Sequence, residues 1–350
     1  MTATSVIMSA LTLAATSGDL PVNGGVRLPE SLVGNPLVEE WDTPYQTPPF
    51  SEIELAHYEP AFDYAIAVNR AEVEAIINNP EAPTFENTIV AMTESGELLG
   101  RVAGLFFVLN NCSTSDEMQQ IAMNITPKLT ELENDISLNP ELFARVKAVY
   151  DQRKKLKLDE QDMQLLEDTY KGFARSGALL EGRDKELYRE YSSELSQLTL
   201  KFGQNAQAAT NAFSYNITDP AKVEELPAFV KEGLAAEAEA RGEKGWTVTL
   251  HAPSYSPFMT YSTQRDIKEA LYRAYNTRGI GGETDNVENI RRIAELRLKI
   301  ANLLGYKCYA DYVLEDRMAE STKTVNGFLA ELNKATLSYA KKDVAAITEY

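Results

Sequence analysis

Residues 184–213, DKELYREYSSELSQLTLKFGQNAQAATNAF, decide the fold class. Leu187, Tyr191, Leu195, Leu198 and Phe202 recur there at steps of four, four, three and four residues. An α-helix turns every 3.6 residues, so the five side chains form one stripe. A helix so patterned draws its stability from packing that stripe, and burial against a neighbour is expected.

Toward the carboxyl end the pattern lapses over 211–217. Residues 246–250 (WTVTL) alternate and are β-branched, which predicts a strand. The following 251–258 (HAPSYSPF) carries two prolines and reads as a loop or turn. The β excursion is therefore confined to about 246–261. Thr263 and Asp266 fit a capping box, with Ile267, Leu271, Tyr275 and Arg278 on one face behind it. Asp285 and Glu288 resemble a second box, opening a helix with Ile290, Ile293, Leu296, Ile300 and Leu303 inward and Gly305 at its end. Residues 321–350 read as a helix that stops in mid-pattern, and a lone helix of this kind is expected to be poorly buried.

Toward the amino end, 159–173, 140–155 and 115–138 are helical, as is 58–78 with Phe62, Ile66, Val73 and Ile77 on one face. Pro83 and Thr84 lead into a long helix with Thr84 as its N-cap. Residues 17–50 are rich in Gly, Pro, Ser and Asn and read as a linker followed by an extended arm over 35–50 (NPLVEEWDTPYQTPPF). The domain organisation expected is a leader or signal-like segment and linker over 1–34, then one helical region over 35–350. Residues 5–15 (SVIMSALTLAA) resemble the apolar core of an export signal, although no Lys or Arg precedes Arg27. That stretch is too short for the roughly 20 apolar residues of a membrane span, so no membrane insertion is expected. Export would place the chain in the periplasm or cell envelope, with the cytoplasm as the alternative. No repeat of fixed period is visible, and the fold class is mainly α with one small β excursion.

The 34 Lys and Arg face 52 Asp and Glu, for a net charge of −18. Binding to nucleic acid or anionic lipid needs the opposite balance. Cys112 and Cys308 make no disulfide framework and are expected to be buried free thiols. A hydrolytic metal site on a helix would show HExxH, yet the two histidines, His57 and His251, sit in no such motif. Pooled with the cysteines they match no zinc spacing. A capping or surface role fits His57, and a structural hydrogen bond fits His251. No GxSxG elbow accompanies a histidine base. Gly279, Gly281 and Gly282 lack the Lys of a phosphate loop and read as a flexible connector. Tyr255, Tyr261, Tyr272 and Tyr275 cluster near the strand, as core packing or as a peptide-contacting wall. No catalytic, cofactor-binding or metal-ligating residue is assigned.

Several stretches together resemble the thimet oligopeptidase-like family of zinc metallopeptidases, which includes oligopeptidase A and peptidyl-dipeptidase Dcp. They are Asn35-Pro36 with the arm through Thr43-Pro44-Tyr45 to Pro49-Phe50 and HYEPAF at 57–62; NPEAPTFENTI at 79–89; RAYNTR at 273–278; Asp285-Asn286; RLKIANLLGY at 297–306; and DRMA at 316–319. The long arm looks more like the peptidyl-dipeptidase branch than oligopeptidase A. The resemblance implies release of C-terminal dipeptides from short unfolded peptides by a Zn2+-bound water, within a two-lobed α-rich body around a deep channel. It places HExxH and the third zinc ligand beyond residue 350, so no family site residue carries over to this sequence. Arg278, Asp285, Asn286 and Arg297 match the family but sit where caps and ion pairs are the common use. The expectation is an amino-terminal portion, inactive alone, that forms one channel wall and needs a carboxyl-terminal half. The alternatives are an oligopeptidase A-type endopeptidase, a stand-alone helical peptide-binding module, and, more weakly, an interaction scaffold.

Overall fold

The computed structural model describes residues 22–350; the apolar stretch at 5–15 lies outside the described residues. The chain forms two compact units, one ending at Ala178 and the other beginning at Leu179.

The first unit contains strands β1 (Val22–Asn23) and β2 (Val26–Arg27), then helices α1 (Tyr58–Ile77), α2 (Ala91–Glu94), α3 (Glu97–Cys112), α4 (Asp116–Ser137), α5 (Pro140–Gln152) and α6 (Glu160–Arg175). The segment read as a linker is packed from Val22 onward. Gly24 and Gly25 turn the antiparallel hairpin with φ of 52° and 82°, a region that favours glycine. A Cβ at Gly24 would lie 2.8 Å from Glu72 Cγ on α1. Leu28, Leu32, Leu37 and Val38 are buried, although they follow no period, because short turns rather than one helix present them. Asn35 ties this stretch down by donating from Nδ2 to the His57 carbonyl at 2.9 Å.

Helix α1 packs against α3, α4 and α5. Phe62, Ile66 and Val73 are buried as expected, and so are Tyr58, Ala65 and Val68 on other sides. Thr84 is an N-cap: its Oγ1 accepts from Asn87 N at 3.1 Å, while Asn87 Oδ1 accepts from Thr84 N at 2.8 Å. The long helix expected after it is broken, however. Phe85–Val90 is π-wound, α2 ends after one turn, and Gly96 at φ 78° restarts the chain as α3. Gly96 donates to Glu72 Oε2 at 2.7 Å, and this anchor on α1 holds the break. Helices α4, α5 and α6 match expectation and are capped by Ser115, Asn139 and Asp159.

The second unit runs α7 (Gly182–Ala212), β3 (Ser214–Ile217), α8 (Ala228–Ala240), β4 (Trp246–Thr249), α9 (Ala252–Tyr261), α10 (Arg265–Asn276), α11 (Val287–Leu303), α12 (Tyr309–Leu314) and α13 (Thr322–Glu349). The stripe of α7 packs on α11, but no α7 residue is fully buried and Phe202 stays 37% exposed. One neighbouring helix covers only part of so long a face. β4 pairs antiparallel with β3, Tyr215 opposite Val248, a strand the lapsed pattern at 211–217 concealed. The proline-containing run after β4 is not a loop but helix α9. Pro253 falls in the first turn, where N–H groups lack intrahelical acceptors, so only Pro257 of the two removes a ladder bond.

Neither capping box forms. Thr263 donates from N and Oγ1 to the Glu225 carboxylate, both at 2.5 Å, while Asp266 pairs with Lys222 at 3.1 Å. Asn286, not Asp285, is the N-cap residue of α11, and Glu288 turns to Arg291. Ile293, Leu296 and Ile300 face inward, whereas Ile290 in the first turn is 54% exposed. Gly305 does end α11: its N–H donates to Asn302 O and that of Tyr306 to Ala301 O, the paired bonds of a Schellman cap. Helix α13 is capped by Ser321 and contains no buried residue. The fold is mainly α, with two small antiparallel sheets among the described residues.

Candidate functional site

The tyrosines expected to cluster divide into two pairs. Tyr255 of α9 stacks on Tyr275 of α10 with ring centroids 4.3 Å apart, and the Arg278 guanidinium lies 3.8 Å over the Tyr275 ring. Burial pushes the Tyr255 hydroxyl pKa up, so this ring is neutral packing. Tyr261 and Tyr272 are exposed, and Tyr261 meets Phe229 of α8 edge-on at 6.1 Å. Two clefts open beside them. One of about 330 Å³ is lined by Phe229, Val230, Leu234, His251 and Pro253. The other, about 490 Å³, has Met259 and Tyr272 beside Arg265, Lys268 and Glu269. Exposed rings next to one largely apolar and one mixed-charge cleft are a surface for side-chain contact rather than for bond making. Phe229 belongs to α8, an addition to the sequence reading. Its signal was present: Val230, Leu234 and Ala238 recur at steps of four and are buried.

The polar residues of the resemblance are structural. Asn286 is buried, donates from Nδ2 to Phe202 O at 3.0 Å, and accepts at Oδ1 from Asn205 and Asn289 at 3.1 and 2.8 Å. It thereby ties the start of α11 to α7. Arg278 donates to Tyr275 O and to Thr210 Oγ1. Asp285 accepts from Val287 N, and Arg297 lies over the Tyr309 ring. Nearby, Arg292 forms two 2.6 Å bonds to Glu194 and a 3.0 Å pair with Glu295. The carboxyl groups with displaced pKa values, Glu194, Glu225, Asp266, Asp285 and Glu295, are all held down, chiefly by hydrogen bonds. A general acid requires the opposite shift. These groups act as fixed anions that cap and pair.

The histidines and cysteines fall in different places. His57 Nδ1 accepts from Glu54 N at 3.0 Å, the capping role expected of it. His251 is exposed and caps α9 through its carbonyl, which accepts from Ser254 N and Tyr255 N. Its bond is thus made by the backbone, not the ring. Cys112 is exposed and Cys308 half-buried, contrary to expectation, because each sits at a helix terminus. Among the described residues no group of three or more His, Cys, Asp or Glu is placed to hold a metal ion. These residues do not fit Zn2+. No described helix is long and apolar enough to cross a membrane.

The sequence model of Peptidase family M3 matches residues 258–350, from within α9 to the end of α13. Dipeptidyl carboxypeptidase of Escherichia coli is 35% identical over 318 residues, which is 89% of this chain and 46% of that protein. Oligopeptidase A of Salmonella typhimurium is 30% identical over 321 residues, 90% of this chain and 47% of that protein. Saccharolysin of Saccharomyces cerevisiae is 22% identical over 77% of the chain. The chain is similar to peptidases of family M3 along most of its length, and it spans about half the length of these curated relatives.

Proposed function

We propose that this chain is the amino-terminal part of a zinc metallopeptidase that hydrolyses short unfolded peptides and releases C-terminal dipeptides. The observation that carries this reading is the 35% identity to a dipeptidyl carboxypeptidase over 89% of the chain, against 30% to oligopeptidase A. In this reading the chain supplies a helical wall for the peptide channel. Zn2+, HExxH and the third ligand belong to a carboxyl-terminal half. The exposed aromatic residues beside the clefts of the second unit support a peptide-contacting wall, and the downward-shifted carboxyl groups fit a scaffold role.

The test is hydrolysis of an N-blocked tetrapeptide with a free carboxyl end, read by mass spectrometry. The 350-residue chain alone is expected to leave it intact and to carry no stoichiometric zinc. Supplied with the HExxH-bearing remainder of its reading frame, it is expected to release the terminal dipeptide. Equal cleavage of a C-terminally amidated peptide at internal bonds would favour the endopeptidase reading. Turnover by the isolated chain with one tightly bound zinc would overturn the proposal.

A further inference from the structure

A cleft of about 440 Å³ in the first unit is walled by Met92 of α2, Leu99 of α3, Leu129 and Leu132 of α4, and Phe173 of α6. Asn69 of α1 also lines it, yet this residue is only 6% exposed. Its side-chain amide has no hydrogen-bond partner among the described residues. The amide atoms are not sealed in, and they remain reachable from the cleft. Asn286, equally buried, makes three side-chain hydrogen bonds. Buried amides are paired as a rule, because an unpaired one forfeits its hydration without return. On its other flank Asn69 lies close against Gly96, its Nδ2 2.9 Å from where a Cβ of that glycine would be, and the Gly96 N–H donates to Glu72 instead. The side from which a partner, water or ligand, can reach Asn69 is therefore the cleft.

We infer that this cleft binds a small neutral amide carrying an apolar group, of the size of one capped leucine. Three features select that class. The volume lies within the range of small-ligand sites, and Met92, three leucines, Ile136 and Phe173 supply half of the lining residues, with the hydroxyls of Ser137, Thr169 and Ser176 beside them. An asparagine amide presents a donor and an acceptor side by side, which pairs with the C=O and N–H of another amide. Glu133 lines the cleft while no Lys or Arg does, which disfavours anionic ligands. The inference rests on Asn69 and its surroundings and is independent of the peptidase reading.

The experiment titrates N-acetyl-L-leucinamide, and separately 4-methylpentanoate, into the full chain by calorimetry with saturation-transfer NMR. Saturable binding of the amide is expected, with the anion weaker. Asn69→Leu replaces the amide by an apolar group of similar volume. It should weaken the amide roughly tenfold or more, the loss of a buried hydrogen-bonded pair. Gly172 lines the same cleft, and a Cβ added there meets nothing within 4 Å. Gly172→Leu should therefore obstruct the site without crowding the core, and it decides the matter if Asn69→Leu fails to fold. The inference is overturned by no saturable binding up to the solubility limit, as for a cleft holding water alone. Wild-type affinity in a folded Asn69→Leu variant, or in Gly172→Leu, would overturn it equally.

Discussion

Helices α1 and α13 each carry thirteen apolar residues, in 20 and 28 positions, and these meet opposite fates. Helix α1 spends Tyr58, Phe62, Ile66, Val68 and Val73 on burial among α3, α4 and α5. Helix α13 presents Phe328, Leu329, Leu332, Val344 and Ile347 to solvent along 28 residues. Its start is fixed by Ser321 and by Thr322 Oγ1 donating to Asp311 Oδ1 at 2.9 Å, while its length follows from helix-favouring Ala, Leu, Lys and Glu. An apolar period therefore specifies a face that gains from cover. It does not specify that the cover lies within the same stretch of chain.

The largest effect separates these two helices. Phe62→Ala removes a fully buried ring that sits edge-on to Phe106 at 5.6 Å, and it should cost about 3–5 kcal/mol. Phe328→Ala, at a position 63% exposed, should stay within about 0.5 kcal/mol. Urea unfolding measures both, and Trp41 and Trp246 report the first and second unit separately. A large loss at Phe328 would break the contrast, because it would mean that the α13 face is covered in solution. Limited proteolysis sharpens the same point: α13 should be cut before α1.

A polar residue can matter nearly as much where burial is complete. Asn286→Ala deletes three hydrogen bonds at the α7–α11 junction and takes the shared acceptor from the Asn205 and Asn289 amides, for an expected cost of about 2 kcal/mol. Asn286→Asp keeps the Oδ1 acceptor and should recover part of it. Thr84→Ala removes an exposed cap and should cost about 1 kcal/mol, with Thr84→Ser nearly neutral. If Thr84→Ala equalled Asn286→Ala, burial would not be what sets the scale of these bonds.

The readable parts of this fold were those with a long period and a local cap. Phe62 to Val73 in α1 and Ser115, Asn139 and Asp159 at three helix starts needed no distant information. The β3 strand has only Tyr215 and Ile217 on its covered face, too few to show a period. Thr263 fits a capping box by local spacing, yet its N–H and hydroxyl donate to Glu225, 38 residues earlier, and only the fold brings Glu225 close. Pro253 breaks no ladder bond because it falls in the first turn of α9, a placement that the two prolines alone do not reveal. The resemblance to peptidases was legible from scattered short motifs. The Asn69 cleft was not, since its walls come from α1, α2, α3, α4 and α6 and no local pattern records their meeting.

The smallest effect lies between the extremes of α1 and α13, on the half-covered α7–α11 face. Arg292 donates to both oxygens of Glu194, and this hydrogen bonding holds the Glu194 pKa below its ordinary value. A carboxyl group with a depressed folded pKa stabilises the fold above its unfolded value, about 4.3, and loses that contribution as pH falls through the folded value. Arg292→Met keeps the aliphatic stem but removes the pair. At pH 7 its urea midpoint should fall below wild type by less than that of Thr84→Ala, because both partners remain about a third exposed and water screens them. Below the ordinary glutamate range the two proteins should converge, as protonation of Glu194 and of Glu295, the second partner of Arg292, removes from the wild type what the variant already lacks. A gap that stayed constant from pH 7 into the acid range would assign the effect of Arg292 to its packing against α7 instead of to its charge.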